Sequence, residues 1–153
     1  MTVLHSPLDV IAYAALIEME GGKKGRFDDG SDKIIGACIE VHRQLGPGLL
    51  ESVYEQCLSH EFSLVGLRFQ RQRAVPVPYK GVLLDCGHRL DFVVEDKIIL
   101  ELKTVDRLLP IHEAQVLTYL KLTGLDAALL VNFNVTYLKQ GLRRYARRQP
   151  RST

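Results

Sequence analysis

No C-x-x-C pair occurs among the three cysteines, Cys38, Cys57 and Cys86. An odd count without that spacing supports neither a disulfide framework nor a zinc knuckle, and it fits a reducing cytoplasm. No apolar run approaches the roughly 18 residues of a membrane span. The short apolar segment from Val10 to Ile17 is preceded by no Lys or Arg, so a signal peptide is not expected. Internal repeats and low-complexity tracts are missing too. Charge of one sign does not dominate: 20 Lys and Arg face 18 Asp and Glu, a formal net charge of +2. No global field therefore imposes a nucleic-acid reading.

The chain does hold enough apolar material for one core. Its 153 residues are 46% hydrophobic and 25% charged, which suits a single compact domain. Charge is uneven locally. The stretch from Arg143 to Arg151 carries five arginines and no acid, an electrostatic footprint for phosphates in which Arg143 and Arg144 are candidate contacts. Taken alone, such a run is more often a solvated tail. At the other end, Gly21-Gly22-Lys23-Lys24-Gly25-Arg26 and Asp28-Asp29-Gly30 read as linker. The expected organisation is an appendage over 1–30, a domain over 31–146 and a basic tail over 147–153.

Within the domain, Asp32 is placed to cap a helix with Ile34, Ile35, Cys38, Val41 and Leu45 on one apolar stripe. Gly46-Pro47-Gly48 stops it. A second helix is predicted over about 49–65, ending at Gly66. Strand-like runs follow at 68–79, 82–85, 88–95 and 97–104. Pro76 and Pro78 argue for an edge position in the first of them. A helix spans about 111–123, and the apolar run from Ala127 to Phe133 reads as a buried strand. A short strand or helix at about 137–146 completes the order α-α-β-β-β-β-α-β.

The stretch that carries chemistry runs from Arg89 to Lys103. It reads as a hairpin turning at Glu95-Asp96-Lys97, which pairs Val94 with Ile98 and Asp91 with Glu101. Directly opposed residues project from one face, about 4.5–5.5 Å apart at Cβ, and period two adds Lys103 to that face. Phe92, Val94, Ile98, Leu100 and Leu102 line the other face and feed a core. Two facing carboxylates destabilise a ladder unless something compensates. A hard divalent cation does so, since magnesium takes oxygen ligands from one or two carboxylates and from substrate phosphate. Lys103 beside it can orient the attacking water and offset phosphate charge. Glu-x-Lys alone is too common to signify anything; the register-matched Asp91 and the apolar flank Ile98-Ile99-Leu100 make it informative.

These residues resemble a known family. Asp91, followed after an apolar run by Glu101-Leu102-Lys103, is similar to the PD-(D/E)XK nuclease signature. Gly48-Leu49-Leu50-Glu51-Ser52-Val53-Tyr54 resembles the pattern that names the GxxExxY branch of that superfamily. The phrases Ile39 to Gly48 and His112 to Gly124 resemble it as well, so the likeness runs from about Asp32 to Arg144. It implies a restriction-endonuclease-like α/β fold, a central mixed β-sheet flanked by helices. It implies a magnesium site, with manganese as a possible substitute, formed by Asp91, Glu101 and the backbone carbonyl of Leu102. It implies catalytic roles for Lys103, for the helix-borne Glu51 and for Gln115, with Tyr119 following in the Gln-x-x-x-Tyr element of exonuclease-like branches. One departure is Leu90, where the signature often has proline. Nucleic acid is the implied partner, DNA ahead of RNA, with no membrane and an open oligomeric state.

Without the resemblance, Glu51 is simply a good acidic residue for a helix N-terminus. Gln115 and Tyr119 share a helix face with His112, which itself suits the helix start. His42 and Tyr54 read as structural. The alternative to an active hydrolase is a non-catalytic nucleic-acid- or protein-binding module on the same scaffold, because a fold does not fix a function. A third reading is a purely structural domain with a surface hairpin. An intact Asp91, Glu101 and Lys103 favours catalysis.

Overall fold

A computed structural model describes residues 29–147 and the strand Ile17–Met19. In chain order the elements are β1 (Ile17–Met19), α1 (Ser31–Leu45), α2 (Glu51–Leu64), β2 (Phe69–Ala74), β3 (Val77–Tyr79), β4 (Val82–Leu84), β5 (Arg89–Val94), β6 (Ile98–Lys103), α3 (Pro110–Thr123), β7 (Ala127–Asn132), a 3₁₀ turn (Leu138–Gly141) and β8 (Leu142–Arg147). Six strands form one sheet in the order β1-β8-β7-β6-β5-β2, and β3 pairs with β4 apart from it. Only β6 and β7 run parallel, joined by the crossover through α3; the other neighbours are antiparallel.

Layering follows from period two on the central strands. Phe92, Val94, Ile98, Leu100 and Leu102 pack in one core with Ile34, Cys38, Tyr54, Leu58 and Phe62 of α1 and α2. Val93, Ile99, Ala128 and Leu130 pack in a second core with Val116, Tyr119 and Leu120 of α3. Both sheet faces are therefore covered. On the face that also carries Asp91 and Glu101, Val93 and Ile99 are buried. The apolar run of β7, buried at every position, is what a strand covered on both faces requires.

Local differences have local causes. The first helix starts at Ser31, with Asp32 inside its first turn and no side-chain cap on its own N-cap residue. Asp29 supplies an acceptor instead, taking the Ser31 N–H at 3.0 Å. The run expected as one strand over 68–79 breaks after Ala74, because Pro76 lacks the N–H a ladder needs. Its first part, β2, does lie at the sheet edge. Ile17–Met19, from the segment expected to be an appendage, pairs with β8 as the opposite edge strand. The rest of 1–28 and residues 148–153 lie outside the described residues, with most of the expected basic tail. His42 and Tyr54 are structural, as the sequence suggests. His42 Nε2 lies 2.8 Å from the Val135 carbonyl, and the Tyr54 hydroxyl donates to the Gly46 carbonyl at 2.6 Å. The whole is a mixed α/β domain with a restriction-endonuclease-like arrangement of sheet and helices.

Candidate active site

The hairpin of β5 and β6 has the expected register, with Val94 opposite Ile98, Val93 opposite Ile99 and Phe92 opposite Leu100. The backbone ladder then stops one step short of Asp91 and Glu101. There each carboxylate takes an N–H from the opposite strand: Leu102 donates to Asp91 Oδ2 at 2.8 Å, and Asp91 donates to Glu101 Oε1 at 3.0 Å. The two acids thus replace a rung of the ladder with side-chain bonds, which fixes both close to Leu102. On its other side Asp91 lies in register with Gln72, a residue in the left-handed region (φ 51) where the β2–β5 ladder also skips a rung. Such strained single residues and ladder breaks concentrate at functional sites.

Glu101 is buried and Asp91 half-buried. Loss of hydration raises both carboxyls above their ordinary range. For Glu101 the negative charge of Asp91 adds to the burial, while the Asp91 N–H and Lys103 oppose it. For Asp91 the charge of Glu55 adds, while the Leu102 N–H, Lys103 and Gln72 oppose it. Glu51 opens α2, and it is also raised, by burial and then by the charge of Asp91, with Lys103 pulling the other way. Four acids and one amine therefore act on one another at the ends of β5, β6 and α2.

Lys103 is the last residue of β6 and donates from Nζ to Gln115 Oε1 at 3.0 Å. Gln115 passes the contact on, donating from Nε2 to the Tyr119 hydroxyl at 3.1 Å. The i, i+4 spacing on α3 makes that second bond possible. Tyr119 is buried, and its ring lies edge-on to His88, with centroids 6.2 Å apart. His112 stays at the start of α3, where Nδ1 accepts the Leu109 N–H at 2.9 Å.

The structure thus brings Glu51, Asp91, Glu101, Leu102, Lys103 and Gln115 together, with Tyr119 behind Gln115. It does not bring the arginines there. Arg144 is buried, bound to Asp29 at 2.6 Å and to Ser31 Oγ at 3.3 Å. Arg143 turns back onto the carbonyls of Gln140 and Leu142. The expected use of Arg144 on nucleic acid meets a physical obstacle here, since strand alternation turns its side chain inward.

Three participants are not evident from the sequence motifs. Glu55 influences Asp91 and Glu51 by charge; its spacing four residues after Glu51 is the signal that could have found it. Gln72 donates to Glu55 at 2.9 Å, and nothing in the sequence marks it. Asn132, buried at the end of β7, lies opposite Lys103 and binds both backbone groups of Val105. A polar residue inside the apolar run from Ala127 to Phe133 was its signal.

The site's position follows a general rule for parallel strands, whose carboxyl ends open onto the crevice beside their crossover. Neither the curated proteins nor the solved structures compared give a match to the chain. A model of the PD-(D/E)XK nuclease superfamily matches residues 28–145, which include every residue of the cluster. With that span covering most of its length, and with an acid pair and lysine held as this geometry holds them, the chain belongs to the PD-(D/E)XK nuclease superfamily.

Proposed function

We propose that the chain is a magnesium-dependent phosphodiester hydrolase acting on nucleic acid, DNA ahead of RNA. The observation that carries this reading is the pair of crossed bonds tying Asp91 and Glu101 to opposite strands beside Lys103. The donor chemistry fits a hard cation. Carboxylate oxygens predominate, and the Leu102 carbonyl leaves its strand on the same side as its N–H, toward Asp91. Among the described residues no three His, Cys, Asp or Glu side chains are grouped so as to hold a metal ion by themselves. An open arrangement suits magnesium, which keeps waters and takes substrate phosphate as a ligand. Asp91, Glu101 and the Leu102 carbonyl would hold the ion, and manganese could replace it. When bound, such an ion neutralises charge on the phosphate and acidifies water.

The chain's own groups perform the remaining tasks. Lys103, steadied by Gln115, presents its ammonium to the same cluster, where it can orient the attacking water and offset negative charge building on the phosphate. Glu51 adds a carboxylate at the helix start. Burial of Glu101 keeps bulk water from screening these interactions. A plasmid and a labelled oligonucleotide incubated with the purified chain, with and without magnesium, test the reading. Cleavage that needs the metal and disappears in both Asp91→Asn and Lys103→Ala is expected. Undiminished cleavage in either folded variant would overturn it.

A further inference from the structure

Between β2 and β5 the chain leaves the sheet as a separate hairpin, β3 and β4, with Val77 opposite Leu84 and Tyr79 opposite Val82. Its base continues the edge ladder: Ala74 pairs with Arg89, and Val75 donates to the His88 carbonyl at 3.0 Å. Its tip is a tight turn at Lys80 and Gly81, both in the left-handed region, the conformation that favours a two-residue hairpin loop. At about 3.3 Å per residue, the ten residues from Gly81 to Asp91 span at most roughly 33 Å of chain.

The hairpin is apolar and uncovered. Tyr79 is 54% exposed and Leu83 65%, and every residue from Gly81 to Arg89 is exposed. A two-stranded ribbon of this kind gains little stability by itself, so these side chains are poorly explained as core. The charges around them are selective. The acid on the hairpin, Asp85, is already engaged by Arg89 and by the Gly87 N–H. Lys80 lies 5.4 Å over the Tyr79 ring. Arg73, on the edge strand leading in, forms no ion pair with an acid among the described residues.

We propose that this hairpin is a wedge for the unpaired end of a nucleic-acid duplex. Tyr79 on one face of the hairpin and Leu83 on the other cover unstacked bases, Lys80 and Arg73 contact phosphates, and one strand is led along β5 toward Asp91. The inference rests on the nucleic-acid hydrolase reading for the direction of travel. Aromatic and apolar side chains interleaved with cations are the features that hold single strands, and apolar wedges unstack base steps. Continuity of the hairpin with the strand that carries Asp91 supplies the link to the reaction. A second copy of the chain is the less suitable occupant. Symmetric pairing of two tips would set Lys80 against its own copy, since such interfaces are self-complementary.

The test is fluorescence anisotropy of a labelled duplex with blunt ends and one of the same sequence with a forked end. Both are titrated with the full chain in chelator, so that binding is read without cleavage. Tighter binding of the fork is expected, with a roughly ten-fold loss in Tyr79→Ala, the scale of one base–aromatic stack, and little change on the blunt duplex. Lys80→Glu, at the exposed turn, should weaken fork binding without altering the melting temperature. Equal binding of fork and blunt duplex, untouched by either variant, would overturn the wedge. A change from dimer to monomer in Tyr79→Ala, with fork binding intact, would overturn it in favour of a second copy. The hydrolase reading is judged separately: magnesium-dependent cleavage that persists in Tyr79→Ala but not in Lys103→Ala upholds it even where the wedge fails.

Discussion

Lys103 and Asn132 face each other as the last residues of the parallel strands β6 and β7. Asn132 Oδ1 accepts the N–H groups of Val105 and Asn134, both at 3.1 Å, and its Nδ2 donates to the Val105 carbonyl at 2.8 Å. The Phe133 N–H closes the arrangement on the Lys103 carbonyl at 2.9 Å. One buried amide thereby fixes the direction in which the chain leaves β6. Nearby, Gly141 leaves no space for a Cβ against the Asn132 carbonyl, so the 3₁₀ turn backs the same point.

Replacing Asn132 by Asp keeps its size and its acceptors but removes the donor to Val105. The partly buried Val105 carbonyl then faces a carboxylate. A loss of about 1–3 kcal/mol is expected, the scale of a polar group left without its partner. Urea unfolding of wild type and Asn132→Asp measures it. A change under about 0.5 kcal/mol, the scale of ordinary surface substitutions, would deny Asn132 this role.

Gln115 touches Lys103 rather than the acids, so its effect on turnover should pass through the amine. Gln115→Leu removes the acceptor at 3.0 Å, and cleavage should fall about 10- to 100-fold, as it does for groups that orient catalytic residues. Gln115→Glu retains an acceptor and should recover part of the loss. Steady-state cleavage rates across a pH series separate the two variants. Identical pH profiles for Leu, Glu and wild type would exclude positioning through Lys103.

Much of this was legible beforehand because period two and a three-residue turn leave little freedom. The register of Val94 with Ile98, the alternation into one core, and the placement of Asp91, Glu101 and Lys103 near one another all follow from spacing. The ladder break at Asp91 was not legible. It depends on Gln72 adopting a left-handed backbone, and a glutamine gives no local sign of that. The inward placement of Arg144 was not legible either: a run of arginines has the same composition whether it forms a loose tail or a strand. Only pairing with β7 shows that Arg144 and Tyr145 both lie in the buried part of that strand, on opposite covered faces of the sheet.

The same pairing sets what a truncation would do. Removing residues 143–153 deletes most of β8 and the ion pair of Arg144 with Asp29, so unfolding is expected rather than weaker binding alone. The milder probe is Arg144→Ala, which strands a partly buried carboxylate. About 1–3 kcal/mol should be lost, below the range for fully buried pairs because Asp29 keeps some solvent. Burial by itself would raise the Asp29 carboxyl, but its bonds to Ser31 and Arg144 outweigh that and lower it. Its contribution is therefore fully present above the ordinary value of 3.8 and disappears as pH falls below it. Melting temperatures of wild type and Asp29→Asn should converge only under acid conditions; a constant difference down to that range would remove the pair from the acid response.

Glu101 provides the opposite sign. Burial, then the charge of Asp91, raises its carboxyl, so the folded chain without metal binds this proton more tightly than the unfolded chain does. Stability from that proton is present below the ordinary value of 4.5 and is lost as pH rises past it. Glu101→Gln keeps an acceptor for the Asp91 N–H while removing the charge. In chelator near neutral pH the variant should therefore be more stable than wild type, by about 1 kcal/mol, the trade between stability and function common at active sites. Magnesium should reverse the order. A ligand at 100 times its dissociation constant adds about 2.7 kcal/mol to a protein that binds it only when folded, and the variant lacks a carboxylate to hold it. Thermal melts of both proteins, in chelator and in excess magnesium, decide the matter. A wild type that melts above Glu101→Gln in chelator would mean that this carboxylate stabilises the fold on its own account.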